Sequence, residues 1–209
     1  MQRSLELLDK PAAAPPPIWR RLFHMGACST IPLMGIFLDD VIMVVLLAVL
    51  SGLALLVETV RLRTPGLNRV LVRYLRPLLK ESEDRRITGA TYIAISALAV
   101  FLIFDKPIAI TALFFLALGD PAAALLGSRM RGPRVMGKSP WGTLAFVVVA
   151  VAVAGVLSAA GVVSFHWGLA AGAAIAALVE LAPLNRIPAL DDNVTIPLIS
   201  GAAMTLIGI

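Results

Sequence analysis

Seven stretches of apolar residues, each close to the length that crosses a bilayer, leave this chain few ways to fold. They cover about residues 22–38, 41–60, 87–104, 107–126, 141–163, 166–183 and 194–209. Runs of roughly 17 to 25 apolar residues match the hydrocarbon thickness when coiled as helices. Away from water every backbone N–H and C=O must find a partner inside the chain, which a helix provides. The apolar residues come in blocks rather than in amphipathic stripes. At 59% hydrophobic and 15% charged residues, the 209-residue chain is too apolar for a soluble domain. The expected class is all-α: a polytopic integral membrane protein of about seven transmembrane helices.

Positive charge sets the expected orientation. If the runs alternate in direction, all of the 18 Lys and Arg except Lys106 fall on one side. Arg3, Lys10, Arg20 and Arg21 precede the first run, and the connection from Arg61 to Arg86 holds the largest group. Arg129, Arg131, Arg134 and Lys138 follow the fourth run, and Arg186 follows the sixth. Lys106 sits beside Asp105 in a tight turn on the other side, where Asp39 and Asp40 also lie. This places the N-terminus in the cytoplasm, the C-terminus outside, and the chain in the cell membrane. Residues 1–19 have no apolar secretory core, and their Ala/Pro run reads as a flexible leader to a single membrane-embedded domain over 20–209. The lone Cys28 excludes disulfides within one chain and reads as a small buried residue. No nucleic-acid partner is expected.

Within 61–86, Leu67, Val70, Leu71, Tyr74, Leu75 and Leu78 recur at helical spacing, and Arg69, Arg73, Arg76 and Lys80 occupy another face. That pattern predicts an interfacial amphipathic helix, with its apolar side in lipid and its basic side toward anionic headgroups. Gly168 and Gly172, followed by alanines, form a small-residue face on which helices approach closely; it is the expected face for a homodimer.

Charges inside a span call for a partner or a task. Glu58 ends the second run, Glu180 lies late in the sixth, and Asp191, Asp192 and Asn193 stand where the seventh begins. His24 opens the first run, and Asp120 lies in the fourth, roughly 10 Å of helix from its basic end. In the expected topology all of these fall in the cytoplasmic third of the membrane, which suits a shallow polar cavity open to the cytoplasm. Each also has a plain structural reading. Glu58 can pair with Arg61 or Arg21, His24 can be an interfacial imidazole, and Asp191 can be a solvated loop acid. Pro121 after Asp120 is expected to break the helix there and free backbone groups beside a carboxylate.

The segment 127–143 follows. Gly132 to Ser139 fits the G-x-x-x-x-G-K-S expression, but a true P-loop needs a preceding strand, and here the loop joins two apolar runs. Its local physics remains: glycines let N–H groups face an anion, Lys138 adds a point charge, and the next helix points its positive end at the same place. Arg129, Arg131 and Arg134 add more charge than topology needs. Basic groups facing inward carboxylates are what phosphoryl transfer requires, with Mg²⁺ held by carboxylates and an amide oxygen and an acid or His accepting a proton. A site at headgroup depth implies a lipid substrate.

Taken together the residues resemble the CTP-dependent lipid kinases that include dolichol kinase, phytol kinase and the yeast-type diacylglycerol kinase, relatives of the phosphatidate cytidylyltransferases. The resemblance rests on Arg20-Arg21 with His24, Glu58 with Arg61, Gly119-Asp120-Pro121 with Ala123 and Gly127, and Gly137-Lys138-Ser139 with Gly142-Thr143. It continues through Glu180, Asp191-Asp192-Asn193 and Ile196-Pro197. It implies transfer of the CTP γ-phosphoryl group to the hydroxyl of a membrane lipid alcohol. It also implies that Asp120, Asp192 and Asn193 form the Mg²⁺–nucleotide side, with Lys138, Gly137, Arg20 and Arg21 on the triphosphate side. Trp141 stands where that family often has an acid, a role that is either vacant here or filled by Glu180. The late K-D and H-G-G-x-x-D-R-x-D segments of cytidylyltransferases are absent.

Overall fold

A computed structural model describes residues 18–76, 78, 79, 81–182 and 191–209. Residues 1–17 of the expected leader, Lys80 and Arg186 lie outside the described residues, and Ile18 and Trp19 belong to the first helix. In chain order the helices are α1 (Ile18–Phe37), α2 (Asp40–Arg63) and α3 (Pro65–Leu75), then a 3-10 turn (Glu81–Arg85) and α4 (Gly89–Ile103). There follow α5 (Lys106–Phe114), α6 (Asp120–Arg129), α7 (Pro140–Ala159), α8 (Trp167–Leu181) and α9 (Asp192–Ile207). The described residues are thus helical, with a single isolated bridge between Val135 and Lys138.

Each of the seven apolar runs coils into helix. Among the described residues, three stretches are long and apolar enough to cross a membrane: Asp40–Arg63, Lys106–Arg129 and Pro140–Ala159. The others are shorter, as in α4, α8 and α9, or interrupted by polar residues, as in α1 with Arg20, Arg21 and His24. Side chains and prolines set the starts. Asp39 accepts from the Val41 N–H at 2.9 Å, His166 from Gly168 at 3.1 Å and Asp191 from Asn193 at 2.9 Å. Proline occupies the first turn of α3, α5, α6 and α7, where its missing N–H costs nothing.

The helix Lys106–Arg129 is the axis of the bundle. Two-thirds of its apolar window (67%) is buried, against 17% for α2. Ile108, Ile110, Phe115 and Leu116 of this helix share one buried core with Phe146 of α7 and Met204 of α9. The expected break at Asp120-Pro121 does not occur. A π-helical turn, Phe115–Gly119, runs straight into α6, and Pro121 enters as an N-terminal residue of that helix. The wider turn absorbs the ring and the lost N–H within a continuous helix, so the disturbance shows as a bulge instead of a gap.

The small-residue face of α8 is taken up inside the chain. A Cβ added at Gly172 would lie 2.5 Å from Met204 Cγ, and one at Gly168 would lie 2.7 Å from Ile207 Cγ2, both in α9. The face expected to support a homodimer is therefore a helix-packing seam.

Polar contacts sort to the two ends of the bundle. At one end Lys106 Nζ bonds the Leu38 carbonyl at 2.6 Å and pairs with Asp40 at 3.0 Å, joining the α1–α2 and α4–α5 turns. Every other cluster described below lies at the opposite end.

Candidate active site

The connection between α6 and α7 folds as a two-residue hairpin. Val135 and Lys138 exchange both backbone hydrogen bonds at 2.9 Å, and Met136 and Gly137 between them both have positive φ, +53° and +91°. This is the turn type in which two left-handed residues match the twist of the flanking chain. Within the G-x-x-x-x-G-K-S run, the Val135 and Lys138 N–H groups each donate to the other's carbonyl, and Gly137 serves the turn that aims Lys138.

Lys138 reaches back across the end of the bundle. Its Nζ pairs with Glu180 Oε1 at 3.0 Å and Asp192 Oδ2 at 3.1 Å, and it also donates to the Glu180 carbonyl. The C-terminal end of α8 and the N-terminal end of α9 are thereby pinned to the hairpin. Burial works to lower the Lys138 pKa, but the two carboxylates leave it raised above the ordinary lysine value. Asp192 precedes the last apolar run. Its burial, opposed by Lys138 and reinforced by Asp120, pushes its carboxyl up to about 6. Asp192 Oδ1 is buried with no hydrogen-bond partner among the described residues.

Asp120 is half-buried and lies within electrostatic reach of Asp192, Glu180 and Arg21. It makes no hydrogen bond or ion pair among the described residues. Arg21 ties α1 to α6, donating from Nη1 to the Ala124 carbonyl at 2.6 Å and to the Ser128 hydroxyl at 3.1 Å. Arg129, Arg131 and Arg134 are exposed around the hairpin, and Arg20 is half-buried. Ser139 starts α7 with a buried side chain, its carbonyl accepting from Gly142 and Thr143. The Thr143 hydroxyl is buried without a partner among the described residues.

Several expected site residues sit elsewhere. Gly127 and Gly142 face each other across α6 and α7: a Cβ at Gly142 would lie 2.7 Å from the Ala123 carbonyl oxygen, and one at Gly127 3.4 Å from Gly142 Cα. The structure gives them a packing role. Asp191 caps α9. Asp192 and Asn193 diverge, as neighbours on a helix must. Asp192 meets Lys138, and the Asn193 amide lies against Gly89, as does Glu83. His24 lies against Cys28 one turn on, its ring nitrogens 3.5 and 3.6 Å from the sulfur.

Glu58 and Arg61 form a buried clamp at the same end. Arg61, 3% exposed, pairs with Glu58 and donates to Asn68 Oδ1 at 2.9 Å and to the Glu83 and Arg86 carbonyls at 3.1 and 2.6 Å. Glu58 accepts from the Thr88 N–H at 3.0 Å and hydroxyl at 2.7 Å. Asn68, Glu83 and Thr88 were not legible as members. Only Thr88-Gly89 ahead of an apolar run is a local signal, and it signals a helix start.

Glu180 and Asp192 thus face one lysine, and Asp120 lies within electrostatic reach of both carboxylates. The oxygen-only donor set and the unpartnered Asp192 Oδ1 suit a hard divalent cation such as Mg²⁺. That ion takes one or two protein carboxylates and completes its shell with water and substrate phosphates. Among the described residues no three His, Cys, Asp or Glu already converge as a ready-made cage.

No protein-family model and no solved structure matches the chain. An uncharacterised protein of Rickettsia prowazekii (strain Madrid E) is 22% identical over 135 residues, covering 63% of this chain and 66% of the relative. The match therefore spans just under two-thirds of that relative's length.

Proposed function

We propose that the chain is an integral membrane phosphotransferase moving the γ-phosphoryl group of CTP to the hydroxyl of a membrane lipid alcohol, in the manner of the dolichol, phytol and yeast-type diacylglycerol kinases it resembles. The observation that carries this reading is the cluster of Lys138, Glu180 and Asp192, with Asp120 close by, at one end of a bundle whose flanks are apolar and exposed. Val41, Val45, Leu53 and Leu56 on α2 and Val148 and Val156 on α7 all stand open. A surface of that kind is stable against acyl chains and not against water. In this reading the seven runs all span, the hairpin end faces the cytoplasm, and an acceptor lipid enters sideways at headgroup depth.

The lipid hydroxyl oxygen attacks the γ-phosphorus, the bond to the β–γ bridging oxygen breaks, CDP leaves, and the hydroxyl proton passes to a carboxylate of the cluster. Asp192 and Asp120 would hold Mg²⁺, which neutralises phosphate charge when bound. Lys138, Arg20 and the exposed Arg129 and Arg131 orient the triphosphate.

The test is label transfer. Purified protein given γ-labelled CTP with phytol, geranylgeraniol, a longer polyprenol or diacylglycerol should put label into lipid-extractable phosphate, and Asp120→Asn should stop it. Label entering lipid only from α-labelled CTP would make the protein a cytidylyltransferase and overturn the kinase.

One observation favours a non-enzymatic reading, a lipid scaffold or transporter: the Lys138 amine is already engaged by α8 and α9. Binding of polyprenyl phosphate without turnover of any nucleotide would select that reading.

A further inference from the structure

The basic face of α3 does more than sit beside lipid. With the Glu81–Arg85 turn it walls a cavity of about 480 Å³, lined by Asn68, Arg69, Val72, Arg73, Arg76, Asp84 and Arg85. Among the described residues, four guanidinium groups and one carboxylate line it. Arg76 uses that carboxylate fully, donating from Nη1 to both Asp84 oxygens at 2.9 and 2.8 Å. Arg73 and Arg85 are exposed and make no hydrogen bond or ion pair among the described residues.

The walls are held from behind. Asn68 accepts from buried Arg61 and donates to the Asp84 carbonyl at 2.8 Å, while Arg61 also bonds the Glu83 and Arg86 carbonyls. Helix and turn are therefore fixed to the end of α2 by one guanidinium, and the cavity exists before any ligand arrives. On the other side of α3, Leu67, Val70, Tyr74 and Leu75 are exposed. A helix with that apolar face in acyl chains holds its arginine face at the depth of lipid phosphates.

We propose that this cavity binds the phosphate of an anionic lipid headgroup, between Arg73 and Arg85, with Arg69 at its edge. Guanidinium forks match phosphate oxygens two at a time, and a concave, preformed arrangement gains more from this than arginines spread along a helix. The site is separate from the Lys138 cluster and does not depend on the kinase reading.

The test uses the full chain in neutral detergent micelles, titrated with dihexanoyl phosphatidic acid and, in a second arm, with inorganic phosphate. The short-chain lipid should bind, and R73Q/R85Q should weaken it about tenfold or more. Both positions are exposed, so the fold survives the change, and R73K/R85K should restore part of the affinity. Weak binding of inorganic phosphate that R73Q/R85Q also removes supports the phosphate contact, the tails supplying the remainder. Lipid binding that is absent in the wild type, or unchanged in R73Q/R85Q, overturns the proposal. So does inorganic phosphate binding more tightly than the lipid, because the ligand would then be a soluble anion.

Discussion

Lys138 bonds the Glu180 carbonyl and Asp192 and pairs with the Glu180 carboxylate, on two helices that start and end far from it in sequence. Its partners Glu180 and Asp192 lie 42 and 54 positions away. Removing the amine leaves two largely buried carboxylates facing each other without a cation. Lys138→Ala should therefore cost about 1–3 kcal/mol of stability, read as a lower unfolding temperature in detergent, and Glu180→Gln should cost less. An alanine variant that melts with the wild type would mean the cluster is looser than its geometry. Two residues earlier the backbone holds a different tension. Met136 is exposed with φ +53°, a left-handed conformation that disfavours a side chain with a Cβ. Met136→Asn should stabilise by up to about 1 kcal/mol, since asparagine tolerates that region and suits this turn beside Gly137. At this scale the sequence was partly legible. Glu58 and Arg61 stand three apart on one helix, so their pairing could be read directly. The Lys138 bridge could not be, because spacing says nothing about which helix ends meet. Nor could the divergence of Asp192 from Asn193 be read before the packing around α9 was known.

Helices read well from the sequence because the apolar runs are long and cleanly bounded by charge. Their joints read poorly. Proline after Asp120 argued for a break, yet tertiary packing around the axis keeps Lys106–Arg129 continuous and converts the defect into a π turn. Glycines read poorly too, because a glycine that cradles phosphate and one that lets two helices touch look identical in sequence. Gly142 and Gly155, both on α7, separate the cases experimentally. Gly142→Ala drives a methyl to 2.7 Å from the Ala123 carbonyl, a backbone atom that cannot swing aside, and should cost about 1–3 kcal/mol. Gly155 has nothing within 4 Å of its Cβ position, so Gly155→Ala should be neutral or stabilise by up to about 1 kcal/mol through helix propensity. Equal melting temperatures for the two variants would contradict the α6–α7 contact.

At the scale of the whole molecule, the two ends of the bundle differ in charge in a way that orientation can test. Nearly all the arginines gather with the Lys138 hairpin, and the opposite end is joined by Lys106, Asp40 and short turns. Anchoring by positive loops then predicts the hairpin in the cytoplasm and the α7–α8 turn outside. Cys28 is the sole cysteine and is buried, so it can be replaced by alanine to give a blank background. Met136 at the hairpin tip and Phe165 at the far turn, 86% exposed, are then introduced singly as cysteines. A membrane-impermeant maleimide applied to intact cells should label the Phe165→Cys protein and spare the Met136→Cys protein. Inverted vesicles should reverse the pattern. Labelling of both sites from the same side would mean that α7 does not cross the membrane and would remove the reason for placing the carboxylate cluster at the cytoplasmic face. The distinction reaches the chemistry directly, because nucleoside triphosphates are abundant only inside the cell. A hairpin facing outward would leave the Lys138 cluster as a structural lock and no more.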